Sequence, residues 1–356
     1  SFLSGGVDSP LVSYFAKKNS SGDFNTYCMG SDSSKHDESL SASKFAESLG
    51  TIHHHCYMNS KNSLEALEKS ILAAGEPFGD FSIIPTWQIS KMAKEKVKVI
   101  LSGDGGDELF FGYERFKSVA KNYKLWGKPY FKRFLFRYTD KIIFNDKHFN
   151  DGALFPSAGA SLRGLHSRIP ENLLNKLIPD LSTVNLPHDF TLYESKRYSS
   201  QNELLYNLRK MEFYGMMQKT LTKLDRASMD HGLEARVPFL QKKLLENILK
   251  INIQVHKPMA SRKKILFNLL NKLYPSIPKQ NIKMGFSVSL TNWLKNDYNK
   301  PFREKLLDKN FQHSFGIDDN IITKMLEKHQ SGLIDNKWSL FSLYSLALWF
   351  DNESQN

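Results

Sequence analysis

The sequence predicts an α/β protein in which a parallel sheet flanked by helices gives way to a largely helical C-terminal half. Three observations predict it. Over residues 1–116, short apolar strand-like runs alternate with helical periodicities; two glycine-rich loops each follow such a run; and from Lys117 onward strand signals give out in favour of long helical stretches.

The elements follow in order. Phe2-Leu3 runs into Ser4-Gly5-Gly6, then Asp8 and Ser9, with Leu11, Val12 and Phe15 at helical spacing, which predicts strand, tight loop, helix. Only about three residues serve a first strand where five or six are usual, so the chain reads as cut just inside it. Asn25 to Met29 is a short strand, and Asp37 to Leu49 is a helix with Ala42, Phe45, Ala46 and Leu49 on one face, stopped by Gly50. "TIHHHCYM" predicts another strand, Leu64, Leu67 and Ile71 mark a helix, and a helix after Pro85 leads into a strand from Val97 to Leu101. Ligands of such sheets gather beyond the carboxyl ends of the strands. In the second half, "YFKRFLFRY" spaces Phe131, Phe134, Leu135 and Tyr138 as an amphipathic helix expected to pack on the protein. Residues 144–195 read as an irregular connection, and Glu203 to Met229 as one long helix.

Composition narrows the class. The 356 residues suffice for a large core, and no apolar stretch approaches a membrane span. Two cysteines, Cys28 and Cys56, build neither a disulfide framework nor a zinc site, which points to a reducing compartment and a cytoplasmic protein. A net charge of +12 favours polyanionic partners, but without a dense Lys/Arg cluster nucleotides are weighed above nucleic acid.

The chemistry concentrates in the two loops, "SGGVDS" at Ser4 to Ser9 and "SGDGGDE" at Ser102 to Glu108. Leaving the same edge of a parallel sheet, they are expected to face each other across one cleft. The first suits a phosphate: glycines present backbone N–H groups, Ser4 and Ser9 add hydroxyls, and the helix that follows directs its positive end at the anion. It is neither a Walker A nor a dinucleotide-binding sequence. In the second, Asp104, Asp107 and Glu108 would repel one another unless solvated or neutralised, and Mg²⁺ on a nucleotide's phosphates is the natural neutraliser. His53, His54 and His55 alternate faces along a strand and are read as structural.

These residues resemble a known family. "SGGVDS" is similar to the signature of the PP-loop ATP pyrophosphatases, and "LSGDGGDELFFGY" and "LDRASMDHGLEARVPFL" resemble the synthetase domain of glutamine-dependent asparagine synthetases. The likeness extends through "GEPFGDFSIIPTWQISKMA" and "IKMGFSV". It implies a PP-loop ATP-binding core over residues 1–116 and a helical region over 117–356 that completes the site. It also implies that Leu3, Ser4, Gly5, Gly6, Asp8, Ser9, Met29, Ser102 and Gly103 hold ATP, and that Asp8 and Asp107 hold Mg²⁺. Asp104 falls at the acidic position needed to form the acyl-adenylate, Lys283 matches a pyrophosphate-binding lysine, and Glu234 is a further catalytic candidate, as the base that acts with a tyrosine in related β-lactam synthetases.

The implied reaction adenylates a carboxylate, aspartate in the parent family, and transfers ammonia to it, leaving an amide, AMP and pyrophosphate. The alternatives are another acceptor, such as a sugar acid, a peptide or a β-lactam precursor, or a tRNA-modifying PP-loop enzyme. The implied partners are small-molecule substrates and a glutaminase domain, absent from these residues and expected in cis or on a partner chain; a homodimer is compatible, a membrane is not expected. Arg226 and Arg236 either orient an acidic substrate or pair as a helix end, and Tyr113 either packs or borders the substrate. Pro10 and Phe111 depart from the family pattern, Phe111 replacing the first glycine of "FGGY" and expected to add bulk beside the cleft.

Overall fold

The computed structural model describes residues 1–31, 37–126, 128–135, 155, 157–183, 192–193, 198–277 and 289–355. Its first part alternates as α1 (Asp8–Lys18), β1 (Asn25–Ser31), α2 (Ser39–Leu49), β2 (Ile52–Met58), α3 (Ser60–Ala74), α4 (Ile83–Lys94) and β3 (Val99–Leu101). Two small parallel pairs result. β1 runs beside β2 from Asn25↔Ile52 to Ser31↔Met58, and β3 beside β4 (Glu234–Arg236) from Val99↔Glu234 to Leu101↔Arg236.

The residues Ser1–Leu3 lie between the pairs. The Phe2 N–H donates to Leu101 O (2.9 Å), the Leu3 N–H to Tyr27 O (2.8 Å) and the Tyr27 N–H to Ser1 O (3.0 Å), although only Phe2 forms a strand bridge. Because every pairing is parallel, the loop after Leu3 and the loop after Leu101 leave the same edge.

Several boundaries differ from the sequence-based expectation for local reasons. α4 starts at Ile83, so Pro85 lies in its first turn, where the missing N–H loses nothing. The Val97 N–H still bonds to Ala93 O at 3.0 Å, so the next strand begins at Val99. α5 (Gly106–Leu109) and α6 (Glu114–Lys121) follow the acidic loop. Residues expected to be irregular contain α7 (Ala158–His166), capped by Ser157 Oγ accepting the Ala160 N–H at 3.0 Å, and α8 (Glu171–Leu177). The long helix after Ser200 is divided into α9 (Gln201–Met211) and α10 (Met217–Met229) by a π-helical turn over Glu212–Met216, a form that recurs at functional sites. α11 (Lys264–Leu273) packs on α1, and α12 (Lys337–Gln355) buries Phe341 and Tyr344 against α3 and α4. Among the described residues no helix is long and apolar enough to cross a membrane.

The helix at residues 130–135 does not pack as expected. Phe131 is 67 % exposed and Phe134 43 %, whereas Arg133 is buried, donating to Lys128 O at 3.1 Å and also to Phe155 O. Satisfying one guanidinium turns the polar side inward and the aromatic stripe outward. Phe136, Arg137 and Tyr138 lie outside the described residues.

Phe111 adopts φ 58°, the left-handed region that its glycine counterpart would enter freely. Its ring does not border the cleft but is buried against Phe116 (5.0 Å between ring centres) and His256 (5.3 Å). Burying the ring is worth about 1.5–3 kcal/mol against about 1–2 kcal/mol for the left-handed backbone, so packing sustains the conformation.

Candidate active site

The two glycine loops touch. A Cβ on Gly103 would lie 2.9 Å from the Ser9 nitrogen and 3.0 Å from Asp8 Cβ, and one on Gly106 would collide with Asp8 Oδ1. Only glycine at these positions lets the acidic loop close on the start of α1. The first loop is braced from within: Ser9 Oγ accepts the Ser4 N–H (2.9 Å) and bonds Ser4 Oγ (2.9 Å), which accepts the Gly6 N–H (3.2 Å).

Lys263 joins the loops electrostatically. Its ammonium pairs with Asp8 Oδ2 and, at 2.6 Å, with Asp107 Oδ1, and all three side chains are largely buried. Lys263 is held there by its backbone: φ is 47° and its N–H donates to Phe110 O at 3.2 Å. A Cβ on Gly112 would collide with Asp107 Oδ1 and Lys263 Cε, so this glycine makes room for the ion triad. Among the described residues, Asp8 Oδ1 is buried with no hydrogen-bond donor. An unmatched hard oxygen beside a second carboxylate suits Mg²⁺, which takes one or two protein carboxylates and completes its shell with phosphate and water. Among the described residues no cluster of three or more His, Cys, Asp or Glu is placed to hold a metal ion.

A buried polar chain leads away from the acidic loop. The Tyr113 hydroxyl donates to Glu108 Oε1 at 2.6 Å, the Arg115 guanidinium lies 3.6 Å over the Tyr113 ring, and Arg115 grips both oxygens of Glu212, which also bonds His166 Nε2 at 2.7 Å. Burial pushes the Glu108 carboxyl above the usual range, only partly opposed by the Tyr113 hydrogen bond, and burial pushes Tyr113 well up. An acid whose folded-state pKa is raised costs the fold stability as pH climbs from its unfolded value, about 4.3, through the folded one. Glu108→Gln keeps an acceptor for Tyr113, so the variant is expected to gain stability on the parent as pH rises from about 4 to about 8. Thermal unfolding across that range checks it, and parallel curves would contradict the assignment.

One cavity of about 730 Å³ gathers this chemistry, a size suited to a nucleotide and a small acceptor. Leu3, Ser4, Gly6, Asp8, Ser9 and Met29 line it from one side, and Ser102, Gly103, Asp104 and Asp107 from the other. Ser102 Oγ donates to Asp104 Oδ2 at 2.5 Å, orienting that carboxylate. Gly5 is not on the wall: its N–H donates to Glu38 Oε2 (3.1 Å), and a Cβ there would press on Ser41 Cβ at 2.7 Å, so it serves loop packing against α2.

Glu234 must be corrected more substantially. It pairs with Val99 at the amino end of the strands, opposite the loops, is 57 % exposed and bonds Arg236 Nε at 2.8 Å. Tyr113, expected either to pack or to border the substrate, lines the cavity and donates to Glu108. Arg226 is exposed and lines a separate depression with Glu76 and Asp225. Lys283 lies outside the described residues. The strand histidines make structural bonds, His53 Nδ1 to Thr26 Oγ1 and His54 Nε2 to Asn25 Oδ1, both 2.9 Å.

The family profile described as Asparagine synthase matches residues 1–351. The chain belongs to that family. It is 26 % identical over 372 residues to Asparagine synthetase [glutamine-hydrolyzing] 1 of Bacillus subtilis, covering 98 % of this chain and 55 % of that protein. A Putative asparagine synthetase [glutamine-hydrolyzing] of Mycobacterium bovis is 23 % identical over 98 % of this chain and 53 % of its own length. One of Methanocaldococcus jannaschii reaches 39 % over 113 residues, 32 % of this chain and 22 % of that protein. The chain thus spans about half the length of the curated relatives that it matches end to end.

Within this asparagine synthase domain, the structure adds residues that sequence reasoning missed. Lys263 sits in "SRKKILF", one of 49 Lys and Arg residues, and nothing local separates it from a solvated helix start. Glu212 likewise looks like a surface residue of a long helix; only the π-helical turn brings it between Arg115 and His166.

Proposed function

We propose that this chain is the synthetase part of an ATP-dependent, amide-forming ligase that adenylates a carboxylate, aspartate in the first instance, and transfers ammonia to it. The observation that carries the reading is the Asp8–Lys263–Asp107 triad, which closes two glycine loops over one cavity. The Ser4–Ser9 loop and the start of α1 bind the β and γ phosphates, with Lys263 and, by resemblance, Lys283 supplying positive charge to the departing pyrophosphate. Asp8 and Asp107 would hold Mg²⁺, which when bound neutralises phosphate charge. The acceptor carboxylate attacks the α phosphorus, pyrophosphate leaves, and the acyl-adenylate forms beside Asp104. Ammonia then attacks the acyl carbon, AMP leaves, and Glu108 with Tyr113 forms the buried acid–base pair suited to take the proton that the nitrogen gives up.

The relatives named as glutamine-hydrolyzing are about twice as long as this chain, which supports a glutaminase domain in cis or on a partner chain as the nitrogen source. ATP–pyrophosphate exchange over a panel of carboxylates tests the proposal, with Asp104→Ala as the inactive control. Aspartate-dependent exchange is expected. Exchange with a sugar acid, a peptide or a β-lactam precursor would replace aspartate as the acceptor, and no exchange with any acid would overturn the reading.

A further inference from the structure

Phe111 stands between the two backbone groups that fix the ion triad. On one side the Gly112 N–H donates to Asp107 O at 2.8 Å, and on the other Phe110 O accepts the Lys263 N–H at 3.2 Å. The left-handed turn at residue 111 sets how these flanking groups point, and with them how Asp107 and Lys263 meet. A phenylalanine keeps such a turn only while its ring is held.

Arg209 of α9 holds it. The guanidinium carbon lies 5.4 Å over the Phe111 ring, within cation–π range, and the His256 ring, at the end of the short helix Ile253–His256, meets Phe111 edge-on at 5.3 Å. Arg209 occupies this place against its own solvation. It is 2 % exposed, its Nη1 has no hydrogen-bond partner among the described residues, and its Nη2 reaches Leu249 O at 3.5 Å. Burial, helped by the nearby guanidinium, pushes the His256 imidazole down to about 4, so it adds no second charge. An apolar side chain would fill the same space without stranding a polar nitrogen, so packing by itself does not call for an arginine here.

We infer that Arg209 is a positioning residue for the Asp8–Lys263–Asp107 site, acting through the ring of Phe111, a role that rests on the nucleotide reading above and goes beyond it, since neither Arg209 nor Phe111 lines the cavity.

Binding of a fluorescent, non-hydrolysable ATP analogue to the full chain, titrated with Mg²⁺, is measured beside thermal unfolding of the unliganded chain. In Arg209→Met the half-saturating Mg²⁺ concentration is expected to rise about fivefold or more, the scale of a desolvated cation–π contact. The melting temperature is expected to hold or rise, because a buried charge without a counter-charge has gone. Phe111→Gly lets the backbone enter the left-handed turn unaided, so in that background Arg209→Met should change the Mg²⁺ requirement by less than about twofold. A lower melting temperature at an unchanged Mg²⁺ requirement would make Arg209 a packing residue only, and an equal Mg²⁺ shift in both backgrounds would remove Phe111 as the link; each result overturns the inference and leaves the nucleotide reading standing. Analogue binding by the parent that ignores Mg²⁺ would overturn the two together.

Discussion

Replacing Asp107 by asparagine is expected to lower acceptor-dependent ATP–pyrophosphate exchange by about 10²–10³-fold, the scale of losing one preorganised electrostatic group. Asparagine keeps the shape of the side chain, so the tight fit beneath Gly112 survives, where a Cβ would collide with Asp107 Oδ1. What goes is charge. Lys263 would keep Asp8 as its partner, so the fold should lose little, whereas the paired carboxylates suited to Mg²⁺ would be reduced to one. The half-saturating Mg²⁺ concentration should therefore rise together with the fall in rate. Exchange within about threefold of the parent, at unchanged Mg²⁺ demand, would exclude Asp107 from the metal site; the same measurement on Asp8→Asn should give a loss of the same order.

Glu212→Ala is expected to have the largest effect on stability, about 3–5 kcal/mol, because it strands a buried guanidinium. Glu212 is fully buried and takes two hydrogen bonds from Arg115 and one contact from His166. Burial by itself would raise its pKa, but Arg115 and His166 outweigh burial and hold the carboxyl below its usual range. A depressed folded-state pKa contributes stability above the unfolded value, about 4.3, and that contribution disappears as pH falls through the folded value. The parent should therefore lose its advantage over Glu212→Ala in acid, as followed by denaturant unfolding at several pH values. A loss under about 1 kcal/mol at neutral pH would mean that Arg115 finds another partner. Because Arg115 also lies over Tyr113, the variant should slow amide formation even where it remains folded.

The meeting of the two glycine loops is legible in the sequence because parallel strands deliver their loops at one edge, and both loops follow short apolar runs. Contacts of Gly103 with Ser9 and Asp8 realise that geometry. Glu234 misleads for the same physical reason read backwards: it opens its strand, at the end of the pair away from the loops, and alternation turns Glu234 and Arg236 outward around Ala235. Lys263 and Lys219 are illegible because their pairings come from distant packing. Lys263 meets Asp8 from the other end of the chain, and Lys219 meets Asp80 from a separate helix, so no local spacing records either pairing.

The three residues Ser1–Leu3 also set an order of assembly. β1 and β2 can pair as soon as both have left the ribosome, but β3 must wait for β4, because Val99 pairs with Glu234. Phe2 ties Tyr27 to Leu101, so its bonds are completed only once β1 and β3 are both placed. It shares an apolar cluster with Ile89 and Ile100, from α4 and β3, and with the distant Leu233 beside β4. Such non-local closure is slow and leaves apolar strand edges open while it is pending. The nucleotide loop is therefore anchored only when β1 and β3 are both in place, and the backbone bonds that set the catalytic edge join stretches far apart in the chain.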